Sequence, residues 1–164
     1  MIGRAVLAIS AVLGLTASAS CRPVRNSVAD VSPDSLTGTV SVTGTSFEQQ
    51  LVLRSGDSAV RLSVTAPDSA ALSRMGGVEV MVVGKRTGNL LQVERFAAVR
   101  VAGAPVVDGV LRNDGGRLSL ETHQGSVQLG NPPDALRGMI GARVWVGGPL
   151  DRGPNVYGVI VPPL

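Results

Sequence analysis

After an initial apolar run, apolar and polar residues alternate in short stretches along most of the chain. Alternation at every second residue is typical of β-strands that bury one face. Partners in an antiparallel hairpin have residue numbers with a constant sum, so a turn at Gly56-Asp57 pairs Leu53 with Val60. The same turn pairs Leu51 with Leu62, which puts all four aliphatic side chains on one face. The pattern predicts a β-hairpin with a single apolar face.

A second hairpin of the same kind is predicted in the C-terminal part of the chain. A turn at His123-Gln124 pairs Leu120 with Val127. In both copies the hairpin is followed by a proline and a leucine, which predict a short helix, and then by a glycine and a valine-rich strand. These residues are Pro67, Leu72, Gly77 and Val80 in the first copy, and Pro132, Leu136, Gly141 and Val144 in the second. Matching order and spacing in two copies are typical of an internal repeat.

The order of elements in each copy is three strands, a helix and two further strands. This order resembles the oligonucleotide/oligosaccharide-binding (OB) fold, a small Greek-key barrel. The resemblance covers residues 36–103 and 104–164, and its most specific part is the helix-Gly-strand stretch that ends at Gly84 and again at Gly147. It implies a mainly β protein of two tandem OB-like five-stranded barrels, each with one short helix between strands three and four.

Two other architectures fit the same strands. An SH3-like barrel would lack the helix between strands three and four, and a two-sheet sandwich would be formed by both copies together. Each copy has only about 60–68 residues, a size at which one core is marginal without disulfides or metals. We therefore expect the two copies to pack on each other. Trp145 is a candidate for that contact, and burial within its own copy is the alternative.

The N-terminal segment predicts export and a lipid anchor. Residues 1–20 carry one arginine followed by an apolar run that is too short to span a bilayer comfortably, which predicts a signal peptide. Cys21 follows Ser18-Ala19-Ser20, and this resembles the lipobox of bacterial lipoproteins, in which a transferase attaches diacylglyceryl to the cysteine. Ser18 stands where that family usually has leucine. Ordinary signal cleavage after Ala19 is the alternative and would leave Cys21 as a free thiol.

We expect lipidation at Cys21, because a secreted chain with no other cysteine has little reason to keep an unpaired one there. Residues 21–35 show no apolar period and are predicted to form a flexible tether. Such a tether reaches at most about 45–50 Å when extended and roughly 20 Å as a coil. The expected location is the bacterial cell envelope, outside the cytoplasm. By resemblance to the sorting of enterobacterial lipoproteins, Arg22 rather than Asp after the cysteine implies the outer membrane of a diderm.

The composition leaves few groups for catalysis. The chain has 164 residues with one Cys, one His and 2% aromatic side chains, which excludes a disulfide framework and a Cys/His zinc site. Gly56-Asp57-Ser58 is similar to the serine motif of one lipase/esterase family, but that family also needs a downstream Asp-x-x-His, and the single histidine, His123, lies in Glu-Thr-His-Gln. We therefore expect no enzyme activity, no metal and no cofactor beyond the lipid on Cys21.

The predicted outer face of strands two and three offers basic but no aromatic side chains. An OB barrel that binds single-stranded nucleic acid stacks bases on aromatic residues of this face, so nucleic acid is a disfavoured partner. Arg54 and Arg61 on this face, with Lys85 and Arg86 in the following loop, could hold an anion; ordinary solvated charge is the alternative. We expect a non-catalytic binding or scaffold module that meets the membrane, an envelope protein or a polysaccharide. The alternative function is binding of an anionic or sugar polymer through these four residues.

Overall fold

The computed structural model describes residues 33–45 and 48–164, so the predicted signal peptide, Cys21 and most of the predicted tether lie outside the described residues. The first half, up to residue 103, contains β1 (Asp34–Thr45), β2 (Glu48–Ser55), β3 (Ser58–Ser63), α1 (Ala66–Ser73), β4 (Val78–Thr87) and β5 (Leu90–Val101). The second half, from residue 104, contains β6 (Ala104–Asp114), β7 (Arg117–Thr122), β8 (Gly125–Gln128), α2 (Asp134–Arg137), β9 (Arg143–Gly147) and β10 (Val156–Val161). The protein is mainly β, as predicted.

The five strands of the first half close into a barrel, which confirms the prediction for this half. β1 pairs with β2 and β4, β2 with β3, and β4 with β5, all antiparallel, and β3 pairs with β5 in parallel. The predicted pairs Leu53 with Val60 and Leu51 with Leu62 are present in the β2–β3 hairpin. Each strand of this half therefore has two neighbours, which is how a barrel removes sheet edges.

Both helices lie where the OB resemblance predicts them and where an SH3-like barrel has none. α1 lies between β3 and β4, and α2 lies between β8 and β9. The side chain of Thr65 caps α1 by accepting a hydrogen bond from the Asp68 amide at 3.4 Å. Among the described residues, neither helix is long and apolar enough to cross a membrane.

Bulges and close-packed glycines allow the first half to curve. The β4–β5 register shifts twice, once after Glu79 and once after Val83. A Cβ on Gly38 in β1 would overlap the carbonyl oxygen of Arg54, and a Cβ on Gly84 in β4 would overlap that of Gln92. Bulges and glycines at such points bend strands enough to close a small barrel. The core inside is aliphatic, and the fully buried residues that the first half contributes to it are Leu53, Ala71, Leu72, Met75, Val80, Val82 and Leu91.

The second half repeats the strand order but does not repeat the closure. Its strands follow the order β8, β7, β6, β9, β10, and within the described residues no ladder joins β8 to β10. The second predicted closed barrel is therefore not confirmed. This half has its own aliphatic core, whose fully buried members are Leu111, Leu120, Leu136, Ala142, Val144 and Val146.

The length of the last loop explains the missing closure. In the first half only Gly88 and Asn89 separate β4 from β5, and the Asn89 carbonyl accepts a hydrogen bond from the Arg61 amide at 3.0 Å as β5 begins beside β3. In the second half residues 148–155 separate β9 from β10. This loop crosses the end of β8, where the Gly130 amide donates to the Leu150 carbonyl at 2.8 Å. The loop therefore occupies the place that β10 would need to reach β8.

The two halves pack on each other, as predicted, through β10. Ile160 of β10 is fully buried in the core of the first half, and Val106 and Trp145 pack against the same core. Of the two alternatives for Trp145, contact between the halves is therefore correct. A Cβ on Gly158 would lie 2.5 Å from the Trp145 ring, so this glycine allows the indole to lie flat against β10. All strands belong to one continuous sheet, which differs from the two-sheet sandwich.

A buried ion pair lies at the junction of the halves. Arg143 in β9 donates from Nε and Nη2 to the two carboxylate oxygens of Asp108 in β6, each at 2.9 Å. The side chain of Asp108 is 5% exposed and that of Arg143 is 23% exposed. The pair also reaches the first half, because Asp108 accepts from the Ala98 amide at 2.9 Å and Arg143 donates to the Phe96 carbonyl. The guanidinium lies over the Phe96 ring, 4.5 Å from its centroid.

Removing one member of this pair should destabilise the protein strongly. We expect Arg143→Met to lower the free energy of unfolding by about 3 kcal/mol, because it leaves the Asp108 carboxylate buried without a counter-ion. The matched control is Arg112→Met, since Arg112 pairs with Glu121 at the exposed surface, and this change should cost less than about 1 kcal/mol. Urea unfolding followed by Trp145 fluorescence measures both values, and equal losses would contradict the role of the buried pair.

The curvature of the barrel should depend on Gly38. We expect Gly38→Ala to lower stability by about 2 kcal/mol or more, because the new Cβ would overlap backbone that holds the β1–β2 ladder. The control is Gly76→Ala, where a Cβ meets nothing within 4 Å and the glycine has no positive φ. That change should leave stability unchanged or raise it by up to about 1 kcal/mol. Thermal unfolding compares the two, and a harmless Gly38→Ala would show that the close approach is unimportant.

Candidate functional site

The predicted basic residues of strands two and three lie on the outer face of the barrel. Arg54 and Arg61 are exposed, whereas Leu53 and Leu62 beside them in the chain are buried. Arg61 pairs with Val52 of β2 and with Leu90 of β5. Because facing residues of adjacent strands point to the same side of a sheet, these side chains share one surface with Arg54.

Lys85 belongs to the same outer surface. The sequence pattern placed Lys85 and Arg86 in a loop, but β4 continues to Thr87, so strand alternation fixes their directions. Lys85 pairs with Gln92 of β5, which in turn pairs with Ser63 of β3. Its Nζ lies 3.8 Å from a carboxylate oxygen of Glu94, an exposed contact of the kind that contributes little to stability.

Arg86 starts from the opposite side of β4. Its partner Leu91 is fully buried, so Arg86 extends from the inner side of the strand at the end of the barrel. The guanidinium is exposed, and its Nε donates to the Gly88 carbonyl at 3.0 Å. The structure thus brings Arg54, Arg61 and Lys85 onto one face and places Arg86 at the neighbouring rim.

The arginines of this set keep most of their hydrogen-bond donors available. Within residues 33–45 and 48–164, no carboxylate lies within 4.0 Å of a guanidinium nitrogen of Arg54, Arg61 or Arg86. Arg54 makes one side-chain contact, from Nε to the Ser41 hydroxyl at 3.4 Å. Guanidinium groups with free donors suit carboxylate, sulfate or phosphate oxygens, which they bind in a forked geometry.

An open groove borders this surface. It has a volume of about 520 Å³ and lies between α1 and strands β1 to β3. Val42 and Leu90, which are 46% and 40% exposed, contribute its apolar part, and Arg61 lies on its rim. The α1 side of the groove is polar, with the side chains of Ser69 and Ser73. The groove thus combines an apolar surface with one cation and several hydroxyl groups.

The sequence did not identify Val42 or Leu90 as surface residues. Alternation alone predicts that Val42 is buried with Val40. Val42 is exposed because the β1–β2 ladder extends beyond the barrel interior toward Thr45 and Glu48. Leu90 is exposed because it faces Arg61 on the outer surface. The only available signal was the position of Leu90 directly after the Gly88-Asn89 turn.

The residues considered for catalysis do not come together. Asp57 and Ser58 lie at the β2–β3 turn of the first half, and His123 lies at the β7–β8 turn of the second. His123 borders a cleft of about 390 Å³ between the halves. Two carboxylates that line this cleft already have partners, since Asp108 binds Arg143 and Glu121 binds Arg112 at 2.8 Å. In the described part of the chain, no three His, Cys, Asp or Glu residues are grouped as a metal site would need.

Comparison of the chain with known protein families, with curated proteins and with solved structures finds no match.

Proposed function

We propose that this protein is a membrane-anchored, extracytoplasmic lipoprotein of the bacterial cell envelope that acts as a non-catalytic binding or scaffold module. The observation that carries the proposal is the accessible groove beside the basic face of a closed barrel, whose first strand begins at Asp34, thirteen positions after Cys21. A short tether of this kind would hold a binding surface close to a membrane. In a diderm this would be the outer membrane.

We also propose that the two halves derive from the duplication of one OB-like unit. The second copy is open, whereas the first is a closed barrel. Equivalent hydrogen bonds support this origin, because the Val78 amide donates to the Met75 carbonyl and the Ala142 amide donates to the Met139 carbonyl. Equivalent glycines support it as well. A Cβ on Gly109 would meet the Glu121 carbonyl oxygen, as one on Gly38 would meet that of Arg54.

The arrangement of side chains favours binding over catalysis. A serine nucleophile needs a positioned base within hydrogen-bond reach, and Ser58 and His123 belong to different turns in different halves. Within residues 33–45 and 48–164, the outer face around Val52, Arg54 and Arg61 offers no aromatic side chain on which bases could stack, so nucleic acid is a disfavoured ligand. An envelope protein or a polysaccharide fits a polar face with free guanidinium groups better.

Lipidation is tested on the mature N-terminus. Expressed in a bacterium, the mature protein should begin at Cys21 and carry diacylglyceryl on the cysteine sulfur. When membranes are extracted with a phase-separating detergent, it should partition into the detergent phase. The Cys21→Ser variant is the control and should lose both the added mass and the detergent partition. A mature chain that begins at an unmodified Ser20 would contradict the anchor, and mass spectrometry of the intact protein distinguishes the two results.

A second candidate function is binding of an anionic or sugar polymer. The observation that favours it is that Arg54 and Arg61 lie diagonally across the β2–β3 hairpin on one exposed face. Within the described residues, neither has a carboxylate partner. Lys85 extends this face toward β5, and Arg86 lies at its rim. Repeating sulfate or carboxylate groups could bridge these cations.

The polymer hypothesis predicts retention on heparin that depends on the two arginines. We expect the double variant Arg54→Ala, Arg61→Ala to bind heparin with about tenfold lower affinity and therefore to be retained less. The reason is that each charge-assisted hydrogen bond contributes roughly 1.5–3 kcal/mol before screening by salt. The control, Arg112→Ala with Arg117→Ala, removes the same charge from the second half. Equal retention of both double variants on a heparin column would exclude this use of the face.

A further inference from the structure

We propose that the β4–β5 end of the first half lies on the anionic phospholipid surface of the membrane. We call the residues of this end that would touch lipid the hairpin patch: Arg61, Lys85, Arg86 and Leu90. The inference rests on the proposed lipid anchor at Cys21. It adds which end of the barrel faces the bilayer and that the lipid headgroups it contacts are anionic.

The point at which the chain enters the barrel fixes which end is near the anchor. Asp34, the first residue of β1, pairs with Gly84 of β4. The next two residues of β4 are Lys85 and Arg86, and the β4–β5 turn follows at Gly88-Asn89. The hairpin patch is thus only a few residues from the end of the tether. A tether that reaches roughly 20 Å as a coil can bring this end to the bilayer without being stretched.

The chemistry of the patch matches an anionic bilayer surface. Leu90, whose side chain is 40% exposed, pairs with Arg61 across the β3–β5 ladder. Lys85 lies on the same face, paired with Gln92, and Arg86 lies at the neighbouring rim. A basic cluster around an exposed aliphatic side chain is typical of surfaces that bind lipid headgroups and insert one apolar group at the boundary. Val42, also exposed, borders the same groove as Leu90 and Arg61 and continues the apolar surface.

Carboxylates near the patch are fewer than its cations. Glu94 lies 3.8 Å from Lys85, and Asp34 lies at the start of β1. The tether sequence contributes Arg22 and Arg25, against Asp30, between the cysteine and the barrel. Attraction of cations to an anionic bilayer acts within a Debye length of about 8–10 Å. A tethered domain reaches that distance often and at a high effective concentration, so weak contacts suffice to orient it.

The orientation distinguishes this inference from polymer binding. Arg54 lies farther along β2, beside the β2–β3 turn, and is not part of the hairpin patch. Membrane contact therefore predicts no effect of Arg54, whereas polymer binding requires it. Both hypotheses use Arg61, Lys85 and Arg86, so variants of these residues do not distinguish them. The effect of Arg54→Ala does.

The test uses the full-length lipidated protein with one fluorescent reporter, placed either in the hairpin patch region or in the second half. A polarity-sensitive maleimide dye is attached to Asn89→Cys in the β4–β5 turn or to Asp151→Cys in the loop of the second half. The chains are reconstituted into phosphatidylcholine vesicles, with or without phosphatidylglycerol, that contain a spin-labelled lipid as quencher. The lipid on Cys21, the only natural cysteine, leaves the introduced thiol as the sole reactive one.

We expect strong quenching of the dye at residue 89 in vesicles with phosphatidylglycerol and little at residue 151. Quenching at residue 89 should be lost in pure phosphatidylcholine, in high salt, and in the triple variant Arg61→Gln, Lys85→Gln, Arg86→Gln. The matched control, Arg117→Gln, Arg137→Gln, Arg152→Gln, removes the same charge from the second half and should retain it. Arg54→Ala should also retain it.

The outcomes separate the orientation from the anchor. Equal quenching at residues 89 and 151 in chains that stay on the vesicles would overturn the orientation and leave the anchor standing. Loss of quenching upon Arg54→Ala would also overturn it and would favour the polymer-binding face. Labelling of Cys21 itself by the maleimide, in a chain that does not stay on the vesicles, would overturn both the anchor and the inference that rests on it.

Discussion

The contact between Asp108 and Arg143 supplies hydrogen-bond partners to a part of the β5 edge that no strand of the described residues covers. β5 pairs with β3 only at Leu90–Gln92 and with β6 only at Arg100 and Val101. Between these points the Ala98 amide and the Phe96 carbonyl would face an open edge. The Asp108 carboxylate accepts from the first, and the Arg143 guanidinium donates to the second. Because buried backbone groups need partners, two side chains of the second half here replace a strand.

This replacement has consequences for both halves. The bulged β5 can leave β3 and continue into β6 without losing its hydrogen bonds, so the barrel and the open second half share one sheet. The second half in turn buries Ile160 of β10 in the core of the first half and not against β8. The loop 148–155 covers the end of β8 through Gly130 and Leu150. Two units that are individually small are thereby stabilised as one.

The sequence predicted the local pairings better than the closure or the site. The constant-sum rule gave the Leu53 with Val60 and Leu120 with Val127 pairs, because hairpin register follows from turn position and apolar alternation. Closure depends on a distant β3–β5 contact and on loop length, which alternation does not encode. In the sequence, Asp108 and Arg143 look like any charged residues of a strand, because their pairing depends on β6 and β9 being neighbours in the sheet.

Native-state hydrogen exchange tests most directly whether the two halves form one cooperative unit joined at Asp108 and Arg143. The amides to compare are those of β4 in the first half, β9 in the second and Ala98 between them. If the halves unfold together, the slowest amides of all three regions should exchange with the same free energy of opening. Exchange of β9 at a clearly lower free energy, while β4 stays protected, would show that the halves are independent and would contradict the account.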